Sequence, residues 1–179
     1  TGTDNTILGG LAGDALTTGD SNVAIGKGAL SAEDTGSRNT AIGYEALRDL
    51  NHDGIAHNVA IGYQAGVLVT TGNVNTIIGA LAGDALTEGN SNVAVGYAAL
   101  TSETLGDRNV AIGNGALSAQ NNTSSVDSYN VGVGYAAGQS VTTGVNNTFI
   151  GGLAGDALLT GSNNTALGYA ALSAANSNE

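Results

Sequence analysis

The twelve residues NTILGGLAGDAL, from Asn5 to Leu16, decide the fold because the chain returns to them twice with little change. The copies are NTIIGALAGDAL from Asn75 and NTFIGGLAGDAL from Asn147, which begin 70 and then a further 72 residues along the chain. Internal repetition of this kind indicates repeated structural units that stack on one another, rather than a single globular core.

A shorter repeat of about 17 residues lies inside the long one. Each copy begins with Asn, continues with Thr or Val, a variable residue, an aliphatic residue and Gly, and has Ala at its eighth position. Stacked in register, these asparagines would form a hydrogen-bonded ladder along the axis. The ten members of the ladder are Asn5, Asn22, Asn39, Asn58, Asn75, Asn92, Asn109, Asn130, Asn147 and Asn164.

The length and content of this repeat predict an all-β fold, a parallel β-solenoid or β-roll of ten coils of about 17 residues. Coils near 20 residues with one short alternating stretch are typical of stacked β-coils. When the Asn is counted as position 1, positions 2 and 4 share one face of a strand. We expect these two positions to point inward and position 3, which is Ala in six coils, to point outward. Glycines at positions 5 and 15 are expected to supply left-handed backbone at corners.

Four kinds of coil recur in a fixed order, which defines a four-coil superrepeat. The chain, residues 1–179, is therefore predicted to be one repetitive domain with superrepeats 5–74, 75–146 and a partial 147–179. Small insertions in two coils lengthen the superrepeats beyond four plain coils. Both ends fall within a coil, so we expect a part of a longer protein, or a subunit that stacks end to end into a filament.

Composition excludes several classes of function. Fifteen acidic residues against four basic ones give a net charge of -11, so the chain would repel a nucleic acid. No apolar run is long enough to span a bilayer. The 29 glycines and 4% aromatic residues argue against a compact core, while 41% hydrophobic residues argue against disorder. No cofactor is expected.

Several segments resemble the repeats of bacteriophage tail fibres and of the head domains of trimeric autotransporter adhesins. They are NTAIGYEAL (Asn39 to Leu47), NVAIGYQAG (Asn58 to Gly66) and NTALGYAAL (Asn164 to Leu172). The resemblance implies a left-handed parallel β-roll that assembles with copies of itself, usually as a trimer, on a cell surface or virion. It also implies an extracellular module that binds surfaces, through a glycan or protein receptor, rather than an enzyme.

Residues suited to catalysis or metal binding are few. His52, Asp53 and His57 lie together in one insertion and could hold a transition metal, but a solvated loop is the preferred interpretation, because the second insertion has no histidine. Three aspartates at position 10 invite a calcium interpretation, yet four coils separate each from the next, so turn capping accounts for them better. The sequence predicts neither a metal site nor an enzyme.

Two sets of residues are candidate contact surfaces. The insertions 49–57 and 118–129 should protrude and form variable loops, with His52 and His57 in the first. Five tyrosines follow the corner glycine at position 6, where they either cover the backbone of a neighbouring coil or offer stacking faces to a sugar or protein. They are Tyr44, Tyr63, Tyr97, Tyr135 and Tyr169.

Large apolar residues replace Ala at position 3 in every fourth coil. If position 3 points outward, Ile7, Ile77 and Phe149 should form an apolar band where identical chains meet side by side. An ice-binding solenoid is an alternative function. It is disfavoured because Thr occurs in the strand only at position 2, which we expect to be inward, so that no regular row of hydroxyls would face water.

Overall fold

The protein is a rod of stacked coils, described by a computed structural model over residues 2–173. Each coil contributes one strand of three residues, and the ten strands form a single parallel sheet in chain order. The prediction of an all-β parallel solenoid is confirmed. Residues 174–179 of the third superrepeat lie outside the described residues. The strands are β1 (Thr6–Leu8), β2 (Val23–Ile25), β3 (Thr40–Ile42), β4 (Val59–Ile61), β5 (Thr76–Ile78), β6 (Val93–Val95), β7 (Val110–Ile112), β8 (Val131–Val133), β9 (Thr148–Ile150) and β10 (Thr165–Leu167).

Strand register is the same at every step, so equivalent positions stack in columns. We number the coils 1 to 10 by their strands. Ala111 of coil 7 pairs with Gly132 of coil 8 although coil 7 carries four extra residues. The insertions therefore lie outside the strands and leave the columns intact. Among the described residues, no helix is long and apolar enough to cross a membrane.

The asparagines at position 1 form one continuous hydrogen-bonded column, and those of coils 2 to 9 are fully buried. The side-chain oxygen of Asn22 accepts the backbone N–H of Asn39 at 2.8 Å. The side-chain nitrogen of Asn22 donates to the carbonyl of Gly36 in its own coil, also at 2.8 Å. The ladder thus links side chain to backbone between coils, so each amide satisfies buried main-chain groups that would otherwise lack partners.

The expected inward and outward positions are reversed in the structure. Position 3 is buried, as at Ala41 and Ala111, which have no exposed surface. Positions 2 and 4 point outward, and Ile61 and Ile112 are 36% and 38% exposed. The expectation was wrong because alternation shows only which residues share a face, not which face is inside.

The interior is narrow, and this explains its small residues. Ala at position 3 packs among the buried Ala column at position 8, as at Ala46 and Ala99, and the buried Leu at position 9, as at Leu47 and Leu100. Because positions 3 and 9 lie this close together, they leave room for no more than one large side chain between them in each coil. A row of Ala therefore marks the core here.

The proposed lateral band of Ile7, Ile77 and Phe149 is also corrected, because these side chains point into the rod. Ile77 and Phe149 are fully buried, and Ile7, in coil 1, is 45% exposed. A Cβ on Gly155 would lie 2.4 Å from Phe149 Cδ1, and one on Gly83 3.5 Å from Ile77 Cδ1. The large residue at position 3 fills the volume that a position-9 Leu occupies in other coils.

Glycine is required at positions 5 and 15 of the coil for different reasons. The corner glycine at position 5 has a positive φ, 137° at Gly43, and a Cβ there would lie 2.2 Å from the carbonyl oxygen of Gly62. Gly19, at position 15, has no positive φ, yet a Cβ on it would lie 2.1 Å from the carbonyl oxygen of Gly36. Close approach of the next coil, not the predicted left-handed backbone, requires glycine at position 15.

Candidate functional site

The outward side of the sheet is a flat uncharged surface, which we call the strand face and define by positions 2 and 4 of all ten strands. Position 2 is Thr or Val and position 4 is Ile, Leu or Val in every coil. No charged residue interrupts these two rows in a chain of net charge -11. The overall composition predicts an acidic surface, whereas the strand face carries no charge.

The two inserted loops fold back on the preceding coil rather than standing free. In the first, the Ser37 N–H donates to the Gly54 carbonyl at 2.7 Å, and the Ala56 N–H donates to the Ser37 carbonyl at 3.2 Å. In the second, the Asp107 N–H donates to the Val126 carbonyl at 2.9 Å, and the Ser128 N–H donates to the Asp107 carbonyl at 3.0 Å. Each loop therefore has a short parallel bridge as its base.

A fully buried glutamate, Glu103, holds the second loop. One carboxylate oxygen accepts three successive backbone N–H groups, of which the Thr104 and Gly106 contacts are 2.9 and 2.8 Å. The other oxygen accepts the side-chain amides of Gln120 and Asn122 at 2.9 and 3.0 Å. The groups that contact the two carboxylate oxygens are thus hydrogen-bond donors from its own coil and from the next.

Glu33 occupies the equivalent place before the first loop and is also fully buried. Its Oε1 accepts the Gly36 N–H at 2.6 Å, and its Oε2 accepts the His52 N–H in the loop at 3.1 Å. A Cβ on Gly36 would lie 2.4 Å from the Glu33 carboxyl carbon. The glycine therefore leaves the space in which the carboxylate sits, and the carboxylate fixes the loop.

Sequence reasoning missed both glutamates and the buried Gln120. All three stand at position 12, where other coils place a buried Leu or Val such as Leu86 and Val141. A charged residue in an otherwise apolar column, in the coil just before an insertion, was the signal that could have found Glu33 and Glu103.

The histidines of the first loop do not gather into a metal site. His57 and Asp53 are exposed, while His52 is partly buried with an Nδ1 that has no hydrogen-bond partner. Asp53 accepts the Thr35 hydroxyl at 3.1 Å. Among residues 2–173 no group of three His, Cys, Asp or Glu side chains could hold a metal ion.

The aspartates at position 10 occupy three different environments. Asp14 lines an open cavity of about 290 Å³ with Lys27 and Arg48. Asp84 accepts the hydroxyl of Thr101 in the next coil. Asp156 has one buried oxygen without a partner. They therefore do not share a ligand geometry.

The five tyrosines of position 6, which we call the tyrosine row, line one edge of the rod. They are exposed, from 39% at Tyr44 to 80% at Tyr169. The rings of Tyr44 and Tyr63, in adjacent coils, stack with centroids 5.4 Å apart and planes 9° from parallel. Tyr169 extends over Gly152 of the preceding coil, where a Cβ would meet its ring at 3.6 Å. The rings thus project from the rod and cover neighbouring backbone only in part.

Charged residues collect at one end of the tyrosine row. Arg48 forms two hydrogen bonds of 2.7 Å to Asp49, which together with the nearby Glu45 raise the pKa of the guanidinium. Hydrogen bonds from Gln64 and then from Tyr44 lower the pKa of Glu45. The same Glu45 contact raises the pKa of Tyr44 above its ordinary value. Tyr44 is therefore the ring of the row that is tied to an ionic network.

Comparison of the chain with models of known protein families, with curated proteins and with solved structures found no significant match.

Proposed function

We propose that the chain is a non-catalytic structural and adhesive module of an extracellular fibre, in which the strand face packs against copies of the same chain. The single observation that carries this proposal is that positions 2 and 4 are uncharged and at least partly exposed in all ten coils. Exposed continuous apolar surfaces of this kind usually mark interaction sites.

The dimensions of the strand face favour this assignment. Ten strands about 4.8 Å apart and three residues wide give a flat area of roughly 500 Å². That is comparable with the largest apolar patch of a typical monomer, about 300–600 Å². The charge lies elsewhere on the rod, so copies with a net charge of -11 could meet at this face without placing like charges in contact.

The inserted loops are the proposed contact with the surface that the fibre binds. They are exposed at Asp53 and Ile55 in the first loop and at Thr123 to Ser125 in the second. Because Glu33 and Glu103 hold the base of each loop, the tips can vary without disturbing the coils. Shortening both loops to plain 17-residue coils should abolish attachment to a cell or glycan surface and leave the oligomeric mass unchanged.

Ice binding remains a second candidate because one observation now favours it. Position 2 points outward, so the hydroxyls of Thr40 and Thr76 lie on a flat surface, contrary to the sequence expectation. Position 2 is nevertheless Val in half of the coils, as in β2 and β4, so the hydroxyl row is interrupted. Thermal hysteresis of the purified chain would establish this function, and its absence would remove it.

Sedimentation velocity tests the main proposal. Ile112→Asp places a charge in the middle of the strand face and should reduce the oligomeric mass to a folded smaller species. Leu68→Asp is the matched control, since Leu68 is similarly exposed, 41% against 38%, but lies outside the strands. Equal masses for the two variants would contradict the proposal.

A further inference from the structure

The bases of the two inserted loops are built in the same way, so the loops can be compared residue by residue. A parallel bridge pairs Ser37 with Ile55 in the first loop and Asp107 with Asp127 in the second. Ile55 therefore stands where the second loop has Asp127. Since Ile55 is 50% exposed, an apolar side chain replaces a carboxylate at the surface of the first loop.

An arginine stands at position 17 of the coil before each insertion, Arg38 in one case and Arg108 in the other. Arg108 forms an ion pair with Asp127 and donates to the Tyr129 hydroxyl at 3.3 Å. Its guanidinium carbon lies 5.6 Å from the centre of the Tyr129 ring. Within residues 2–173, no group forms a hydrogen bond or an ion pair with the guanidinium of Arg38. Arg38 thus lacks the carboxylate that the equivalent Arg108 receives from its own chain.

Arg38 borders an open cavity of about 360 Å³, in which two carboxylates also lie. One of them, Asp20, is held by Thr3, whose N–H and hydroxyl donate to its Oδ1 at 2.6 and 3.0 Å. These hydrogen bonds lower the pKa of Asp20. The other carboxylate belongs to Asp4. Neither carboxylate pairs with Arg38, so the guanidinium keeps its donors for a group from outside the chain.

We infer that this cavity binds an acidic sugar residue of a glycan, through a carboxylate that pairs with Arg38. The planar fork of an arginine suits a carboxylate, and Asp127 shows that an arginine at this place takes one. The cavity volume lies within the range of small-molecule sites, about 300–1,000 Å³. The inference rests on the proposed contact of the loops with a bound surface, and it names the ligand class for the side of the first loop.

The other groups in the cavity favour a sugar acid over other anions. Asp4 and Asp20 offer acceptors, and the hydroxyls of Ser21 and Ser37 can donate or accept. The ring hydroxyls of a sugar acid would supply donors to both carboxylates while its own carboxylate meets Arg38. Inorganic sulphate has acceptors alone, and so has the carboxylate of an aspartyl side chain, so each would meet the two carboxylates without a proton to share.

Saturation-transfer difference NMR with glucuronate measures this site in the intact chain, because the method detects a weakly bound free sugar whatever the size of the protein. We expect a dissociation constant on the order of 1 mM, as is reasonable for a ligand of this size. Glucose has the same ring without the carboxylate and should not bind detectably. Arg38→Gln should raise the dissociation constant for glucuronate about tenfold or more.

Ile55→Asp is the sharper variant, because it gives Arg38 the internal carboxylate that Arg108 already has. The new carboxylate should pair with Arg38 and raise the dissociation constant for glucuronate about tenfold or more. Ile55→Asn has nearly the same shape without the charge and should bind glucuronate much more tightly than Ile55→Asp does. Leu68→Asp adds a charge outside the cavity and should leave binding unchanged. Circular dichroism should show that all these variants are folded.

Four results would overturn the inference. The first two are no binding of glucuronate, and equal binding of glucose and glucuronate. The third is equal weakening by Ile55→Asn and Ile55→Asp, which would show that an internal carboxylate is not what closes the site. The fourth is binding of N-acetylaspartate amide as tight as that of glucuronate, which would assign the cavity to an acidic peptide. Because free glucuronate reports on the cavity alone, strand-face assembly and attachment to a cell surface can each fail without changing this result.

Discussion

Phe149 should behave as an interior residue whose loss a neighbouring glycine can partly repair. Its side chain is fully buried, and truncation of a buried Phe to Ala costs about 3–5 kcal/mol. Gly155→Leu alone should destabilise by at least about 1–3 kcal/mol, because a Cβ on Gly155 would lie only 2.4 Å from the Phe149 ring.

The double variant Phe149→Ala with Gly155→Leu recreates a pairing that the chain already uses. In coil 6, Ala94 and Leu100 occupy the same two positions and are both buried. The φ of Leu100 is 56° and that of Gly155 is 64°, so Leu is compatible with the backbone at this position. We expect the double variant to be more stable than the sum of the single changes by at least about 2 kcal/mol. Recovery should be incomplete, because Phe149 also fills space beside Gly138 in coil 8.

Urea denaturation followed by circular dichroism measures all four proteins of this cycle. Additive effects would show that the two positions do not share a volume. If Phe149→Ala changed the free energy of unfolding only slightly but lowered the oligomeric mass, Phe149 would point outward, as the sequence suggested.

Three further predictions follow from single contacts. Glu103→Gln should destabilise the chain by about 3 kcal/mol and increase hydrogen exchange in residues 118–129, because the new amide donor would face the side-chain amides of Gln120 and Asn122; unchanged exchange in the loop would refute its role as an anchor. Glu45→Gln should lower the pKa of Tyr44 toward its ordinary value, measured from phenolate absorbance, since the Glu45 contact is the main cause of the raised pKa; an unshifted titration would contradict this. Val74→Asn should raise the urea midpoint, with a gain of about 1 kcal/mol, because Val74 is exposed and has a left-handed φ of 58°; a lower midpoint would show that its side chain packs.

Features that repeat in every coil could be predicted from the sequence. The asparagine column, the corner glycine and the place of the tyrosines follow from register alone, because equivalent residues must stack. The orientation of the strands could not be predicted in this way, since position 2 is Thr or Val, position 4 is aliphatic and position 3 is Ala or Gly in most coils. In a rod this thin, the narrow interior takes Ala41 and the exposed face takes Ile42.

Features that occur once per superrepeat were harder to predict. Glu33 and Glu103 stand in the variable half of the coil, where one column holds Leu, Val, Glu and Gln. Their role depends on hydrogen bonds to the inserted loops, at His52 and Asn122, and residue spacing does not reveal these contacts. The assignment of Phe149 to a surface failed because its compensating glycines lie at another position of the repeat and in two different coils.

The concentration dependence of thiol labelling at the strand face tests the proposed assembly most directly. The chain has no cysteine, so Ile112→Cys introduces a single reporter on the strand face, and Ala111→Cys introduces the matched buried control beside it. We predict that Ile112→Cys reacts quickly in dilute solution and is protected progressively as the protein concentration rises, while Ala111→Cys reacts slowly throughout. An Ile112→Cys thiol that reacts equally fast at every concentration would contradict lateral assembly through the strand face.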